Sequence, residues 1–200
     1  MTKFLATQTG QKLAYSFTKG TGPTVVFLGG FKSDMEGSKA IFLEKWAKKR
    51  NRSFLRFDYS GHGQSTGDFL NLGIGDWFND AKQVIKLTKN NGLILIGSSM
   101  GGWISLLLSR ELGSRLKGLI TIAAAPDFTE DSMWKNFTED QKKEVLNKGV
   151  LYLPSDYGEP YPITRYLIEN GRQNLVLREP LELTCPVRLM QGTEDTAVTR

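Results

Sequence analysis

Gly92-Leu93-Ile94-Leu95-Ile96-Gly97-Ser98-Ser99-Met100-Gly101-Gly102 is the stretch that decides the fold. Apolar residues 93–96 run into a glycine-serine turn, and Trp103, Ile104, Leu106, Leu107 and Leu108 follow it. The short apolar run predicts a buried strand, and the longer stretch after the turn a buried helix. Between them Gly97-x-Ser99-x-Gly101 fits G-x-S-x-G, the sharp strand-to-helix turn that exposes a serine above a parallel sheet. Glycines flank the serine because its backbone is strained there and a Cβ on either side would clash. A helix starting at Met100 also directs its first N–H groups toward developing negative charge.

Working outward, residues 24–28 form a second buried run that ends in Gly29-Gly30-Phe31. Residues 53–57 form a third and lead into the glycine-rich Asp58-Tyr-Ser-Gly-His-Gly-Gln-Ser65. Residues 119–123 and 186–190 complete the set, and the alternating residues 12–18 read as an edge strand. A helix is predicted from Ser38, with Ala40, Leu43 and Ala47 on its inner face and Phe42 and Trp46 beside it. Another is predicted from Asp76, with Trp77, Ala81, Val84 and Thr88 on one side. Strand alternates with helix and the strands are apolar throughout. That argues an α/β protein with a mostly parallel sheet and helices on both faces.

Residues 126–180 break the rhythm. They hold two expected short helices at 130–137 and 138–147, a turn-rich patch at 154–162, and a helix at 163–170 stopped by Gly171 as a C-cap. The expectation is a single domain over 1–200, with 126–180 as a cap or lid over the sheet's carboxyl edge. Open α/β sheets bind their ligands at that edge.

Two hundred residues suit one domain with a sizeable core. The net charge of +5 comes from scattered lysines, and Lys48-Lys49-Arg50 suits a helix C-terminus. No aromatic-basic alternation supports a nucleic-acid partner. The single cysteine, Cys185, is expected as a buried thiol in a strand. The first ten residues carry no apolar signal-peptide core, and no stretch approaches a membrane span, so the cytoplasm is the default expectation. No metal site or cofactor motif is expected.

The motifs together resemble the α/β-hydrolase fold enzymes over nearly the full length of the chain. Gly29-Gly30-Phe31 stands where that family usually has His-Gly-x. Asp58-x-x-Gly61-His62-Gly63-x-Ser65 is similar to its D-x-x-G-x-G-x-S loop, and Gly192-x-x-Asp195-x-x-Val198 to its acid motif. The stretch from Tyr161 to Arg172 resembles the branch of acyl-protein thioesterases and acyl-glucuronide esterases with their bacterial relatives. The resemblance implies Ser99 as nucleophile and Asp195 as the acid that orients a base. It implies an oxyanion hole from the N–H groups of Phe31 and Met100. Asp127 is the rival acid, while Asp58 and Asp34 read as turn formers.

The base is the unsolved part. The one histidine, His62, precedes Ser99, whereas the fold's chain order puts the acid after the serine and the histidine last. His62 matches a structural position in the family loop. A triad histidine would be expected after one further strand beyond Asp195, and the chain stops at Arg200. A fragment, a decayed or split gene, or another base all remain open. Two functions follow: a serine hydrolase of small-molecule acyl esters or thioesters, or a non-catalytic or vestigial binding protein that keeps the pocket. Phe128, Met133, Trp134, Phe137, Tyr152, Tyr157 and Tyr161 are candidates to line an acyl channel. Oligomeric state is not legible.

Overall fold

The apolar runs assemble around one sheet. The computed structural model describes every residue except 9, 90, 155–158, 196, 197, 199 and 200. The main sheet takes β1 (Lys3–Ala6), β2 (Lys12–Thr18), β3 (Thr21–Leu28), β4 (Arg52–Phe57), β5 (Leu93–Ser98) and β6 (Leu116–Ile122). A separate antiparallel hairpin pairs β7 (Val150–Leu153) with β8 (Tyr161–Thr164), and β9 (Val187–Met190) returns to the main sheet. The main-sheet order is β1-β2-β4-β3-β5-β6-β9. In the main sheet β1–β2 and β2–β4 are antiparallel, and the β3–β4, β3–β5, β5–β6 and β6–β9 pairings are parallel. The five strands predicted from sequence are therefore all present, but the last, β9, is not buried: Leu189 and Met190 are exposed because β9 is the outermost strand on its side of the sheet.

Helices cover both faces, which is why the central strands are apolar on both sides. Val25, Phe27, Phe54 and Ile96 point toward α1 (Ser38–Lys49). Val26, Leu28, Leu55 and Leu95 point the other way, into the core shared with α2 (Ile74–Ile85) and α3 (Met100–Leu112). Trp77, Ala81, Val84 and Thr88 are all buried, as the helical spacing predicts. Among the described residues no helix is long and apolar enough to cross a membrane.

Several local expectations change. Residues 12–18 are not an edge strand, because β1 pairs outside them. On α1, Ala40 and Ala47 are buried and Leu43 and Trp46 pack beside them as expected, but Glu44 joins the inner face and Phe42 is 68% exposed. Glu44 is buried because β2 and β4 set polar partners opposite it. Ser16 Oγ and Thr18 Oγ1 donate to Oε1 at 3.1 and 3.0 Å, and Arg56 donates to Oε2 at 3.1 Å. Burial alone would raise this carboxyl, but Arg56, Thr18 and Lys48 outweigh it and hold it below its ordinary value. Cys185 lies two residues before β9 and is half-buried, not inside the strand.

Within residues 126–180 a helical turn at Thr129–Trp134 precedes α4 (Glu139–Lys148), whose N-terminus is closed by a reciprocal Thr138–Gln141 cap. The predicted helix at 163–170 begins later. Residues 161–164 are strand, and Thr164 Oγ1 caps α5 (Arg165–Arg172) by accepting from Leu167 N at 3.0 Å. Gly171 is not a C-cap. It lies inside α5, where a Cβ would collide with Thr129. Bonds that tie the segment to the main core include Trp103 Nε1 to Asn174 O at 2.9 Å, Arg110 to Val176 O at 3.1 Å, and Gly75 N to Asn170 Oδ1 at 2.6 Å.

Asp80 of α2 carries a testable consequence. It is 4% exposed, and Oδ2 accepts from Ser60 N at 2.8 Å. Burial pushes its carboxyl up to about 6. The folded chain thus keeps a proton that the unfolded chain has released, so this contribution is complete below the unfolded value and lost as pH rises through about 6. Asp80→Asn keeps an acceptor for Ser60 without the buried charge. It is expected to gain about 1–3 kcal/mol over the parent at pH 8 and almost nothing at pH 4. Urea unfolding at the two pH values checks this; an equal effect at both would reject it.

Candidate active site

Ser99 stands between the last residue of β5 and the first of α3, at φ 53 and ψ −120. A non-glycine residue adopts this conformation only when its surroundings impose it. Three backbone bonds do so. Ser99 N donates to Ile122 O at 3.0 Å, and Ser99 O accepts from Gly102 N at 2.8 Å and Ala125 N at 3.1 Å. Ser99 is half-buried, so its hydroxyl is not sealed in the core, while Ser98 is the buried strand-end residue that the sequence predicts.

The glycines explain how the turn fits. A Cβ at Gly101 would fall on the carbonyl oxygen of Leu28, one at Gly97 on the backbone of Gly101, and one at Gly102 on Ala124. The first turn of α3 is thus pressed against the ends of β3 and β6. The loop after β3 comes equally close, since a Cβ at Gly30 would lie 3.4 Å from Ser99 Cβ. Phe31 follows directly, and its N–H has no acceptor among the described residues. Met100 N–H belongs to the first helical turn, which has no intrahelical carbonyl to bond. The two residues expected to supply oxyanion donors are thus the one after Ser99 and the one after Gly30.

The Phe31 ring sits in an aromatic box. It meets Phe69 at 5.1 Å and Trp77, Phe128 and Tyr161 each at 5.9 Å, all edge-on. Phe128 and Tyr161 are thus the inserted aromatics that reach the site. Trp134 packs on Phe137 and under Arg172, Met133 packs against the core, and Tyr152 is exposed. Tyr157 lies outside the described residues.

Asp195 follows β9. Ser98 pairs with Ile122 and Ile122 with Met190, so Ser99 and Asp195 leave the same carboxyl edge from strands two places apart. Each step across the sheet is about 4.8 Å. Asp195 is half-buried, and its Oδ1 accepts from Val198 N at 2.9 Å. Asp127, the rival, is fully buried and spoken for. Its carboxylate accepts from Val176 N at 2.8 Å and Leu177 N at 3.0 Å, with Arg178 3.7 Å away. Asp34 accepts from Glu36 N at 2.8 Å, the turn role expected of it. Asp58 does more than form a turn: its carboxylate, raised by burial, accepts from Met35 N at 2.6 Å and Gln64 N at 2.8 Å.

His62 is 3% exposed. Nδ1 faces Ser60 O at 3.1 Å, and Nε2 accepts from Lys32 N at 3.2 Å. These partners assign the neutral tautomer with its proton on Nδ1. Burial pushes the imidazole down to about 4, so it is uncharged near neutrality. Both nitrogens are committed to the backbone, which matches the structural reading of this loop. Sequence spacing gives no sign of Lys32 N–H as the partner.

Residues 21–166 match the family described as Serine aminopeptidase, S33. Over 188 residues the chain is 35% identical to the mitochondrial palmitoyl-protein thioesterase ABHD10 of Rattus norvegicus, a match taking in 93% of this chain and 63% of that protein. The chain thus spans 63% of that curated relative's length. A crystal structure from Agrobacterium vitis S4, assigned to the hydrolases, superposes with a TM-score of 0.94 at 36% identity, covering 99% of this chain and 81% of that one. Alpha/beta hydrolase domain-containing protein 10 from mouse gives 0.89 at 33% identity, with 99% and 80% covered.

The strain at Ser99 and the crowding at Gly101 can be separated by mutation. Ser99→Gly and Ser99→Ala both lose the hydroxyl, but only glycine relieves the positive φ, so Ser99→Gly is expected to be about 1 kcal/mol the more stable. Gly101→Ala forces a methyl onto Leu28 O and is expected to lose at least about 2 kcal/mol. Denaturant midpoints of the three variants check both; a Gly101→Ala variant as stable as the parent would refute the crowding.

Proposed function

The chain belongs to the α/β-hydrolase family, and on that premise we propose that it is a serine hydrolase of acyl esters or thioesters with Ser99 as nucleophile. The observation that carries the reading is the positive-φ turn at Ser99, with the Gly30-Phe31 loop packed alongside it. Ser99 Oγ attacks the acyl carbonyl carbon as a base removes its proton. The carbonyl π electrons move to oxygen, where the N–H groups of Phe31 and Met100 hold the charge. Collapse of the tetrahedral species expels the alcohol or thiol, which takes the proton back from the base. Water, activated by the same base, then releases the acid and restores Ser99.

Asp195 is the proposed acid. Its position at the carboxyl edge supports this, as does the commitment of Asp127 to Val176 and Leu177. His62 has both nitrogens engaged, so we assign the base to a histidine supplied from outside these 200 residues. Residues 126–180 are proposed as the cap, with Phe128 and Tyr161 presenting apolar surface beside Phe31. A small-molecule acyl substrate suits such walls. The thioester half of the reading draws on the name of the rat relative.

The test uses the full-length gene product on a panel of acyl esters and acyl thioesters. Ser99→Ala is expected to abolish turnover and labelling by a fluorophosphonate. Asp195→Asn is expected to lower kcat on the order of 10³–10⁴-fold. Turnover that survives Ser99→Ala would remove the nucleophile assignment. A folded parent that neither turns over nor labels would leave the binding-protein reading in its place.

A further inference from the structure

The loop that carries Phe31 is strained. Lys32, the next residue, has φ 53, a value that a lysine keeps only when neighbours enforce it. Its N–H is the donor that His62 Nε2 accepts. We propose that His62 is a positioning residue for the oxyanion hole, fixing the direction of Phe31 N–H by gripping the adjoining Lys32 N–H. The inference rests on the reading of Ser99 as a hydrolase nucleophile.

Phe31 lies in a turn closed by Ser33 N donating to Gly30 O at 3.2 Å, and within that turn it is pinned from two further sides. Its ring is held by Phe69 and Trp77, and its carbonyl-side peptide is held through Lys32 N. With both fixed, its φ and ψ have little freedom and its N–H points one way. His62 is itself immobile. Phe69 and Trp77 also wall its ring, at 5.1 and 5.0 Å, and Tyr59 closes a third side at 5.7 Å. Ser60 O, which faces Nδ1, also accepts from Trp77 Nε1 at 3.1 Å. The same two aromatic side chains therefore register the histidine and the phenylalanine against each other. Further along, Asp58 holds Met35 N and Arg56 holds Met35 O at 2.8 Å, so the rest of the loop is anchored independently of His62. Removing the His62 bond should loosen the Phe31–Lys32 peptide rather than the whole loop.

The role demands an acceptor at the Nε2 position. Burial keeps that nitrogen unprotonated, with the pKa near 4, and the Lys32 ammonium pushes in the same direction. Glutamine can place its carbonyl oxygen where Nε2 lies. Asparagine is shorter and reaches only the Nδ1 position. Phenylalanine keeps the ring packing and supplies no acceptor.

The experiment compares His62→Gln, His62→Asn and His62→Phe in the full-length gene product. It measures kcat and KM on the best ester of the panel and hydrogen exchange at the Lys32 amide. His62→Asn and His62→Phe are expected to lose Lys32 protection and about 10–100-fold in kcat, with KM changed by no more than about twofold. His62→Gln is expected to restore protection and most of kcat. If His62→Phe does not fold, the Asn–Gln pair carries the comparison. Lost protection with kcat unchanged would overturn the positioning role, and so would equal losses of kcat in Gln and Asn. A parent with a protected Lys32 amide but no Ser99-dependent turnover would remove the hydrolase reading, and this role with it.

Discussion

The contact on which the rest depends is backbone against backbone: the first turn of α3 pressed onto the carbonyl end of β3. Gly101 faces the oxygens of Leu28 and Gly29 across a gap too narrow for a methyl group. Gly97 and Gly102 play the same part toward α3's own turn and toward Ala124. Because the helix starts so close to the sheet, the chain has one residue in which to reverse, and Ser99 takes the strained conformation. That strain is of the order of 1–3 kcal/mol. It is offset by the apolar face that the approach buries, Trp103, Ile104 and Leu108 among it. Bringing α3 onto β3 also brings the loop after β3 to Ser99, so the proposed nucleophile and the proposed oxyanion loop are positioned by one packing event.

What was legible in sequence follows from locality. Residues 92–102 declare strand, turn and helix because glycine spacing and a change of period are both written within eleven residues. The central strands were legible because burial on both faces leaves an unbroken apolar run. Glu44 was not, because helical periodicity looks for apolar residues and its partners Ser16, Thr18 and Arg56 sit on two other strands. Gly171 carries the composition of a C-cap, but its reason is the side chain of Thr129 across the insertion. β1 is short and half of a pair whose partner also alternates, so nothing local says which of the two is outermost.

The site divides the same way. The placement of Ser99, Met100 and Phe31 at one turn and its neighbouring loop was legible, because a turn motif and a glycine pair fix them by sequence neighbours. Asp127 and Asp195 were not separable by spacing, since each follows its strand by five residues. The difference lies about fifty residues away, in the two backbone N–H groups at 176 and 177 that take the Asp127 carboxylate. His62 shows the limit most clearly: its partner is a backbone N–H, which no residue type announces.

The loop after β4 adds an electrostatic argument. Asp80 and His62 both bond the backbone of Ser60, the carboxyl at its N–H and the imidazole at its carbonyl. Burial moves them in opposite directions, Asp80 up to about 6 and His62 down to about 4. On acidification through that window the unfolded chain takes up a proton at His62 that the folded chain refuses, which destabilises the fold. Over the same window the folded chain takes up a proton at Asp80 that the unfolded chain does not yet bind, which stabilises it. The two slopes have opposite sign and similar span, so together they leave little net dependence between about pH 4 and 6. Within that window both groups are uncharged, and the unprotonated imidazole, walled by Tyr59, Phe69 and Trp77, keeps the Nε2 lone pair that holds Lys32 N–H.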